Sequence, residues 1–174
     1  MEPIVNKVAK SGLVTIDLQQ FEPQHEIAEF NLKEYLYMEM ILKEKDYRNA
    51  LESFDWSVYS DKIIAAYCSA DAIIAQWAYM LIVTHAHGIA ESVYFGTPAQ
   101  VRERCMLDAI DKHDWTQYAD KKVLLKGCSD KELSPSVYLS ATQKLIPIVD
   151  RLMYGEACSF VPVYRKRKLS SARK

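Results

Sequence analysis

Three Cys-Ser pairs are the residues of this sequence best suited to chemistry: Cys68-Ser69, Cys128-Ser129 and Cys158-Ser159. Each pair comes after a short apolar run that is typical of a strand. Because ligands of open parallel sheets bind at the carboxyl ends of strands, we expect the three thiols to meet at one edge of one sheet. A thiol beside a helix N-terminus is also stabilised as thiolate, the form that binds metals or attacks an electrophile.

Thiolate sulfur suits zinc, copper(I) or an iron–sulfur cluster. Three thiolates leave a tetrahedral site one ligand short, so an acidic side chain, a serine, a water or a group from a second chain would complete it. The predicted ligand set is Cys68, Cys128, Cys158, Asp71 and Asp130. The sequence has no CxxC or HxxxH spacing, so this metal site depends on the predicted geometry alone. The cofactor expected is an iron–sulfur cluster or zinc.

Two other interpretations of the cysteines stay open. In a thiol-redox enzyme, Cys68 or Cys128 would be the nucleophile and another cysteine would resolve it. In a structural or adaptor protein the cysteines would be inert, because cysteine is among the most buried residue types. Cys105, inside a predicted helix, is interpreted as structural. His85 and His87 lie two residues apart on a helix, so they face different directions and do not form a joint site.

The sequence repeats itself at an offset of about 59 residues. Asp, Trp, Tyr, Asp and Lys recur in the same order in 55–62 and 114–121. Each block leads into an apolar run that ends in Cys-Ser, and matching Tyr and Gly residues follow. A repeat of this kind predicts two duplicated units, 55–97 and 114–156, in a pseudo-twofold arrangement. Side chains of the two blocks that are predicted to pack or to make turns are Trp56, Tyr59, Trp115, Tyr118, Asp61 and Asp120.

Each copy is predicted to form a strand, a helix and a second strand that pairs in parallel with the first. In the second copy, Ser134 and Pro135 indicate the start of the helix, as an N-cap and a first helical residue. The predicted elements are strands 62–67 and 92–95 around a helix 72–86, strands 122–126 and 151–154 around a helix 134–145, and a joining helix 98–112.

The first fifty residues lie outside the repeat and predict a strand at 13–18, its hairpin partner at 26–32 and a helix within 33–54. No Gly/Ser-rich linker interrupts the chain. The expected fold is therefore α/β: a single domain over 1–164 with a mostly parallel sheet, two duplicated strand–helix–strand units, and an added N-terminal hairpin and helix. The basic segment 165–174 is predicted to be a disordered tail.

Composition gives little sign of a nucleic-acid or membrane partner. The 174 residues carry 22 basic and 23 acidic side chains. The longest apolar stretch, 72–83, is too short to cross a bilayer. No basic and apolar export signal is visible, so a reducing, cytoplasmic location and unpaired thiols are expected. No P-loop, GxGxxG or GxSxG motif indicates a nucleotide cofactor or a hydrolase, and catalytic residues are unknown. A homodimer would be one source of the missing ligand.

Several motifs resemble the bacterial domain-of-unknown-function family 2480. The similarity extends to about Tyr164, and the basic tail is outside it. The motifs are Ser11–Leu18, Leu42–Asp46, Cys68–Ile73, Trp77–Leu81, Lys126–Asp130 and Tyr154–Ser159. One departure is Ala157, where the family pattern has proline. The resemblance implies that the three Cys-Ser pairs belong to the family pattern, whereas His85, His87 and Cys105 do not. It also implies a role beside iron–sulfur assembly proteins, as an accessory factor without an assigned activity.

Overall fold

A computed structural model describes residues 12–127 and 132–167. These residues form nine strands and four α-helices, which confirms the predicted α/β class. In chain order they are β1 (Leu13–Ile16), β2 (Ile27–Asn31), β3 (Leu36–Tyr37), β4 (Ile41–Leu42), α1 (Glu44–Ser53), β5 (Ile63–Tyr67), α2 (Gln76–Ala86), β6 (Ser92–Phe95), α3 (Pro98–Lys112), β7 (Lys122–Lys126), α4 (Pro135–Leu145), β8 (Arg151–Glu156) and β9 (Ser159–Arg165). Within the described ranges no helix is long and apolar enough to cross a membrane.

The chain divides into two compact units. The central unit consists of residues 23–105, and the terminal unit combines residues before 23 with those from 106 onward. Helix α3 supplies residues to both, since the division falls between Cys105 and Met106. The boundaries predicted from the sequence, a domain over 1–164 and a tail from 165, stay a prediction.

In the central unit, β5 is the middle strand of a three-stranded sheet of order β2-β5-β6. Both neighbours pair with β5 in parallel. A parallel strand covered on both faces is apolar along its length, and the first four residues of β5 are all buried. One face packs on α1 and α2 through Tyr47, Leu51 and Ile82. On the other face Ile63 and Ala65 pack with Val101 of α3.

In the terminal unit, β7 is an inner strand of a four-stranded sheet of order β1-β7-β8-β9. The first three strands are parallel, and β9 runs antiparallel to β8. The buried cluster joins Val123 of β7 to the inward face of α4 and to Ile110 of α3. Apolar spacing of three and four residues places Val137, Ala141 and Leu145 of α4 on that face.

The two units have the same local structure where the chain enters β5 and β7. Asp55 and Asp114 each cap a single turn of 3-10 helix, Trp56–Tyr59 and Trp115–Tyr118. The indole Nε1 of each tryptophan donates to a backbone carbonyl, of Leu51 at 2.9 Å and of Ile110 at 2.8 Å. The four predicted aromatic side chains are buried. This likeness supports the predicted duplication, while the pseudo-twofold arrangement itself stays a prediction.

The predicted N-terminal hairpin is wrong, because its two strands belong to different sheets. Strand β1 pairs in parallel with β7, and β2 pairs in parallel with β5. Each therefore covers one edge of a buried strand. Asp17, just after β1, and Asn31, the last residue of β2, accept hydrogen bonds from backbone amides and start 3-10 turns. The chain turns away at these caps and does not form a tight hairpin.

The helix predicted within 33–54 is shorter than expected, and the three strands β3, β4 and β9 were missed. Met38 and Glu39 take positive φ in a tight turn that joins β3 to β4, so α1 begins only at Glu44. Helix α2 begins at Gln76, four residues after the predicted start. Strand β9 contains Pro162, which lacks a ladder donor and is tolerated at a sheet edge.

Candidate functional site

Cys68 follows β5 directly, as predicted, and its side chain is half-buried. The Sγ atom lies 3.7 Å from the carbonyl oxygen of Ala70, and the side chain packs against the central core. Asp71 is exposed in the loop that follows. In the central unit Cys68 is therefore a packing residue with a weak local hydrogen bond, and its thiol does not point freely to solvent.

Cys158 occupies the two-residue turn, Ala157-Cys158, between β8 and β9, and it is exposed. Cys128 and Asp130, two more predicted ligands, lie outside the described residues. In the part of the chain that the structure describes, no three His, Cys, Asp or Glu side chains are close enough together to hold a metal ion. These residues alone do not fit a zinc ion or a cluster held by three or four protein ligands.

The expectation that all three Cys-Ser pairs share one sheet edge is wrong. The strand before Cys68 is β5, in the three-stranded sheet, whereas β7 and β8 belong to the four-stranded sheet. The physical reason is that β1 and β2 each pair with a different copy of the repeat, so each copy builds its own sheet. Only Cys128 and Cys158 come after strands of the same sheet.

Two glycines join the segments that carry Cys128 and Cys158. Gly127 N–H donates to Gly155 O, with an N···O distance of 3.1 Å. Cys128 is the residue after Gly127, and Cys158 is three residues after Gly155. This hydrogen bond thus joins the end of β7 to the end of β8 at the carboxyl edge of the sheet, a few residues before each of the two cysteines in the sequence.

Glycine is required at Gly155 because two backbone segments meet there. Its φ of 128° is one that other residues rarely adopt. A Cβ at this position would lie 2.6 Å from Ser159 O and 3.1 Å from Phe160 Cα. The close approach lets β9 fold back immediately after β8. It thereby holds Cys158 at the carboxyl edge.

An ion pair fixes the same edge on the β1 side of β7. Lys126 Nζ donates to Asp17 Oδ2 at 2.8 Å. Burial raises the pKa of Asp17, but hydrogen bonds from Lys126 and from the Gln19 amide, with the charge of Lys126, outweigh burial and lower the pKa overall. The carboxylate therefore stays ionised at neutral pH and ties the end of β1 to the end of β7, next to Gly127.

An apolar cleft of about 460 Å³ lies between α4 and strands β7, β8 and β9. Its lining residues are Leu125, Leu133, Pro135, Tyr138, Leu139, Thr142, Tyr154 and Val163. The rings of Tyr138 and Tyr154 meet edge to face at 5.5 Å, and Tyr138 Oη donates to Lys126 O at 3.2 Å. Mostly apolar clefts of this size with a few polar groups are typical of ligand sites.

The central unit has a related arrangement at its own carboxyl edge. Tyr79 and Phe95 meet edge to face at 5.3 Å, at positions 59 residues before the tyrosine pair. Burial raises the pKa of Tyr79, and the neighbouring Cys68 adds to the rise. Asn31 Nδ2 donates to Ser69 Oγ at 2.8 Å, and Asn31 Oδ1 accepts from Ser69 N–H at 3.1 Å. The serine of this Cys-Ser pair thus holds the end of β2.

Among the residues predicted to be structural, His85 packs on an aromatic ring and Asp61 and Asp120 form turns. The His85 ring stacks on Trp56 at 5.6 Å, while His87 is exposed just after α2. Asp61 and Asp120 take positive φ, 57° and 55°, at matching turns. Sequence reasoning missed the cleft and the Asp17 ion pair. The recurrence of tyrosine at 79 and 138 was the one signal that pointed toward the cleft.

No curated protein and no solved structure is significantly similar to the chain. A family model described as "Protein of unknown function (DUF2480)" matches residues 2–166 of the 174. The match covers both units and all three Cys-Ser pairs, in agreement with the motifs quoted above. The chain therefore belongs to domain-of-unknown-function family 2480.

Proposed function

We propose that this protein is an accessory factor that binds a soft metal ion or an iron–sulfur cluster at the carboxyl edge of its four-stranded sheet. The protein ligands are Cys128 and Cys158. The observation that supports the proposal is the hydrogen bond from Gly127 to Gly155, which joins the residue before Cys128 to the residue three before Cys158. Both cysteines follow strands of the terminal unit, and Cys68, which belongs to the central unit, is not one of the proposed ligands.

The chemistry of the two side chains supports a soft metal. Thiolate sulfur prefers zinc, copper(I) and iron–sulfur clusters over hard cations. Cys158 is exposed, so its thiol can reach an incoming metal. Gly155 and Gly127 bring backbone close together beneath it, and Tyr154 stands within 3.0 Å of where a Gly127 Cβ would be. Closely packed backbone therefore lies on the sheet side of the proposed site, and Cys158 is exposed to solvent.

Two thiolates do not fill the four positions of a zinc or iron site. A resident structural metal needs a closed ligand set, whereas a carrier benefits from positions that a partner or a second ligand can occupy. Asp130, two residues after Cys128, is available as a further protein ligand. This incomplete set supports an accessory or transfer role, consistent with the iron–sulfur assembly partners that the family resemblance implies and with the reducing, cytoplasmic setting expected from the sequence.

Metal analysis after anaerobic purification tests the proposal. We expect stoichiometric iron and sulfide with a brown visible spectrum, or colourless protein with one zinc. Replacing Cys128 and Cys158 together by serine abolishes metal binding, while the matched change Cys105→Ser leaves it unchanged. Metal-free protein whose unfolding midpoint is unaffected by chelator contradicts the proposal.

A second candidate is an adaptor protein whose cysteines are inert. The half-buried, core-packed thiol of Cys68 and the 460 Å³ apolar cleft favour it. In that case the Cys128→Ser and Cys158→Ser changes leave partner binding intact. An aspartate in place of Leu139, a cleft residue whose side chain is 63% exposed, abolishes partner binding with little effect on folding.

A further inference from the structure

The edge of β6 in the central unit lacks the strand that its counterpart in the terminal unit has. Strand β8 pairs with β7 on one side and with β9 on the other. Strand β6 pairs with β5 on one side and, within 12–127 and 132–167, with no strand on the other. An edge strand presents unpaired amides and carbonyls that another strand can join.

The open side of β6 carries the backbone groups of Val93 and Phe95. Ala66 is the partner of Phe95 in the ladder, and Gly96 N–H donates to Ala66 O at 3.0 Å. Residues of a strand alternate in the side to which their amides point. The amides of Ser92, Tyr94 and Gly96 therefore face β5. Those of Val93 and Phe95 face away from it.

Apart from its short length of four residues, the strand has few of the devices that normally prevent edge pairing. Lysine, proline and inward charges are the usual ones, and β6 reads Ser-Val-Tyr-Phe. Phe95 is 77% exposed, and Met80 and Val83 on the adjacent helix α2 are 66% and 50% exposed. These two helix residues are three apart and lie on one face. An exposed apolar patch thus borders an open strand edge.

We propose that two copies of this protein associate through β6, antiparallel and about a twofold axis at Tyr94. An uncharged strand can pair with itself without placing like charges opposite each other, and the same edge is present on every copy. Such an isologous contact would join the two three-stranded sheets into one six-stranded sheet. The apolar patches on the two α2 helices would lie on the same face of that sheet.

The backbone groups select one register. With Tyr94 opposite Tyr94 of the second copy, Val93 of each copy pairs with Phe95 of the other, and four hydrogen bonds form. A shift by two residues in either direction would need an amide donor that is already engaged. The reason is that Glu91 N–H already donates to Lys62 O and Thr97 N–H to Gln100 Oε1. Aromatic and β-branched side chains then face each other across the interface, a favourable pairing.

Light scattering during gel filtration of the full chain tests the association. We expect a mass twice the 20.0 kDa of one chain. Phe95→Lys converts the protein to monomer with an unchanged circular dichroism spectrum, because the side chain is exposed. Val161→Lys, at a 63% exposed position of β9, is the matched control and leaves the dimer intact. A wild-type monomer, or a dimer that survives Phe95→Lys, overturns the proposal.

Oxidative cross-linking tests the register separately. Tyr94→Cys places two Cα atoms about 4.5 Å apart across the axis, so oxidation joins two chains through position 94. Val93→Cys does not cross-link to itself, because diagonal neighbours lie about 7–8 Å apart, beyond disulfide reach. Peptide mass spectrometry identifies the bond against disulfides of the native cysteines. A 93–93 bond without a 94–94 bond contradicts this register.

Discussion

Gly155 and Gly96 offer a matched test of the close approach that holds Cys158 in place. They occur 59 residues apart, at the ends of β8 and β6, with φ angles of 128° and 132°. An alanine at either position adopts a disfavoured conformation, which costs about 1–3 kcal/mol. The surroundings differ. A Cβ on Gly155 meets backbone of Ser159 and Phe160, whereas a Cβ on Gly96 meets the side chain of Gln100.

Because both variants pay the same conformational cost, the difference between their free energies of unfolding measures the backbone clash at Gly155. Overpacking against fixed atoms costs about 1–3 kcal/mol more, whereas the Gln100 side chain can move aside. Gly155→Ala is thus expected to lower the free energy of unfolding by at least about 1 kcal/mol more than Gly96→Ala. Urea unfolding followed by tryptophan fluorescence and circular dichroism measures both. Equal losses, or a larger loss for Gly96→Ala, would refute the role given to Gly155.

Three further predictions concern other contacts. Trp115→Phe and Trp56→Phe each remove an indole hydrogen bond and buried volume, so each is expected to lower the free energy of unfolding in urea by about 1–3 kcal/mol. Losses that differ between the two variants by more than about 2 kcal/mol would contradict the local likeness of the two units. Because folding lowers the pKa of Asp17, its carboxylate stabilises the protein at pH values above the unfolded pKa, and this stability is lost as the pH falls through the folded pKa. In unfolding measured as a function of pH, Asp17→Asn is expected to remove this dependence. Iodoacetamide mapped by mass spectrometry modifies exposed Cys158 well before half-buried Cys68, and the reverse order would contradict the structure.

Local signals predicted most of the individual elements. Helix α3 has the predicted bounds, 98–112, because proline is favoured in the first turn and its apolar spacing is regular. Ser134 caps α4 by accepting from Ser136 N–H at 3.2 Å, as its position before Pro135 indicated. The turn at Met38 and Glu39 could not be predicted, since neither residue type signals a positive φ.

Strand pairing over long distances was the part that sequence could not supply. The partner of β1 lies more than a hundred residues away, in β7, and nothing in 13–18 distinguishes that partner from a hairpin neighbour. The same limit affected the site. In the sequence, the repeat puts Cys68 and Cys128 after equivalent runs, but the two runs form strands of different sheets. The turn at Cys158 depends on β9, and β9 was not predicted because it contains Pro162, which is unfavourable within a strand.

X-ray absorption of the metal-loaded protein tests the central claim most directly, because it counts the sulfur ligands at the metal. Zinc bound by the unmodified chain is expected to show two sulfur neighbours at about 2.3 Å, with lighter ligands in the remaining positions. Replacing Cys128 and Cys158 by serine removes both sulfur neighbours, while Cys68→Ser leaves the count at two. A spectrum with no sulfur neighbour in the unmodified protein, or the same count in the double variant, would contradict a dithiol site at this sheet edge.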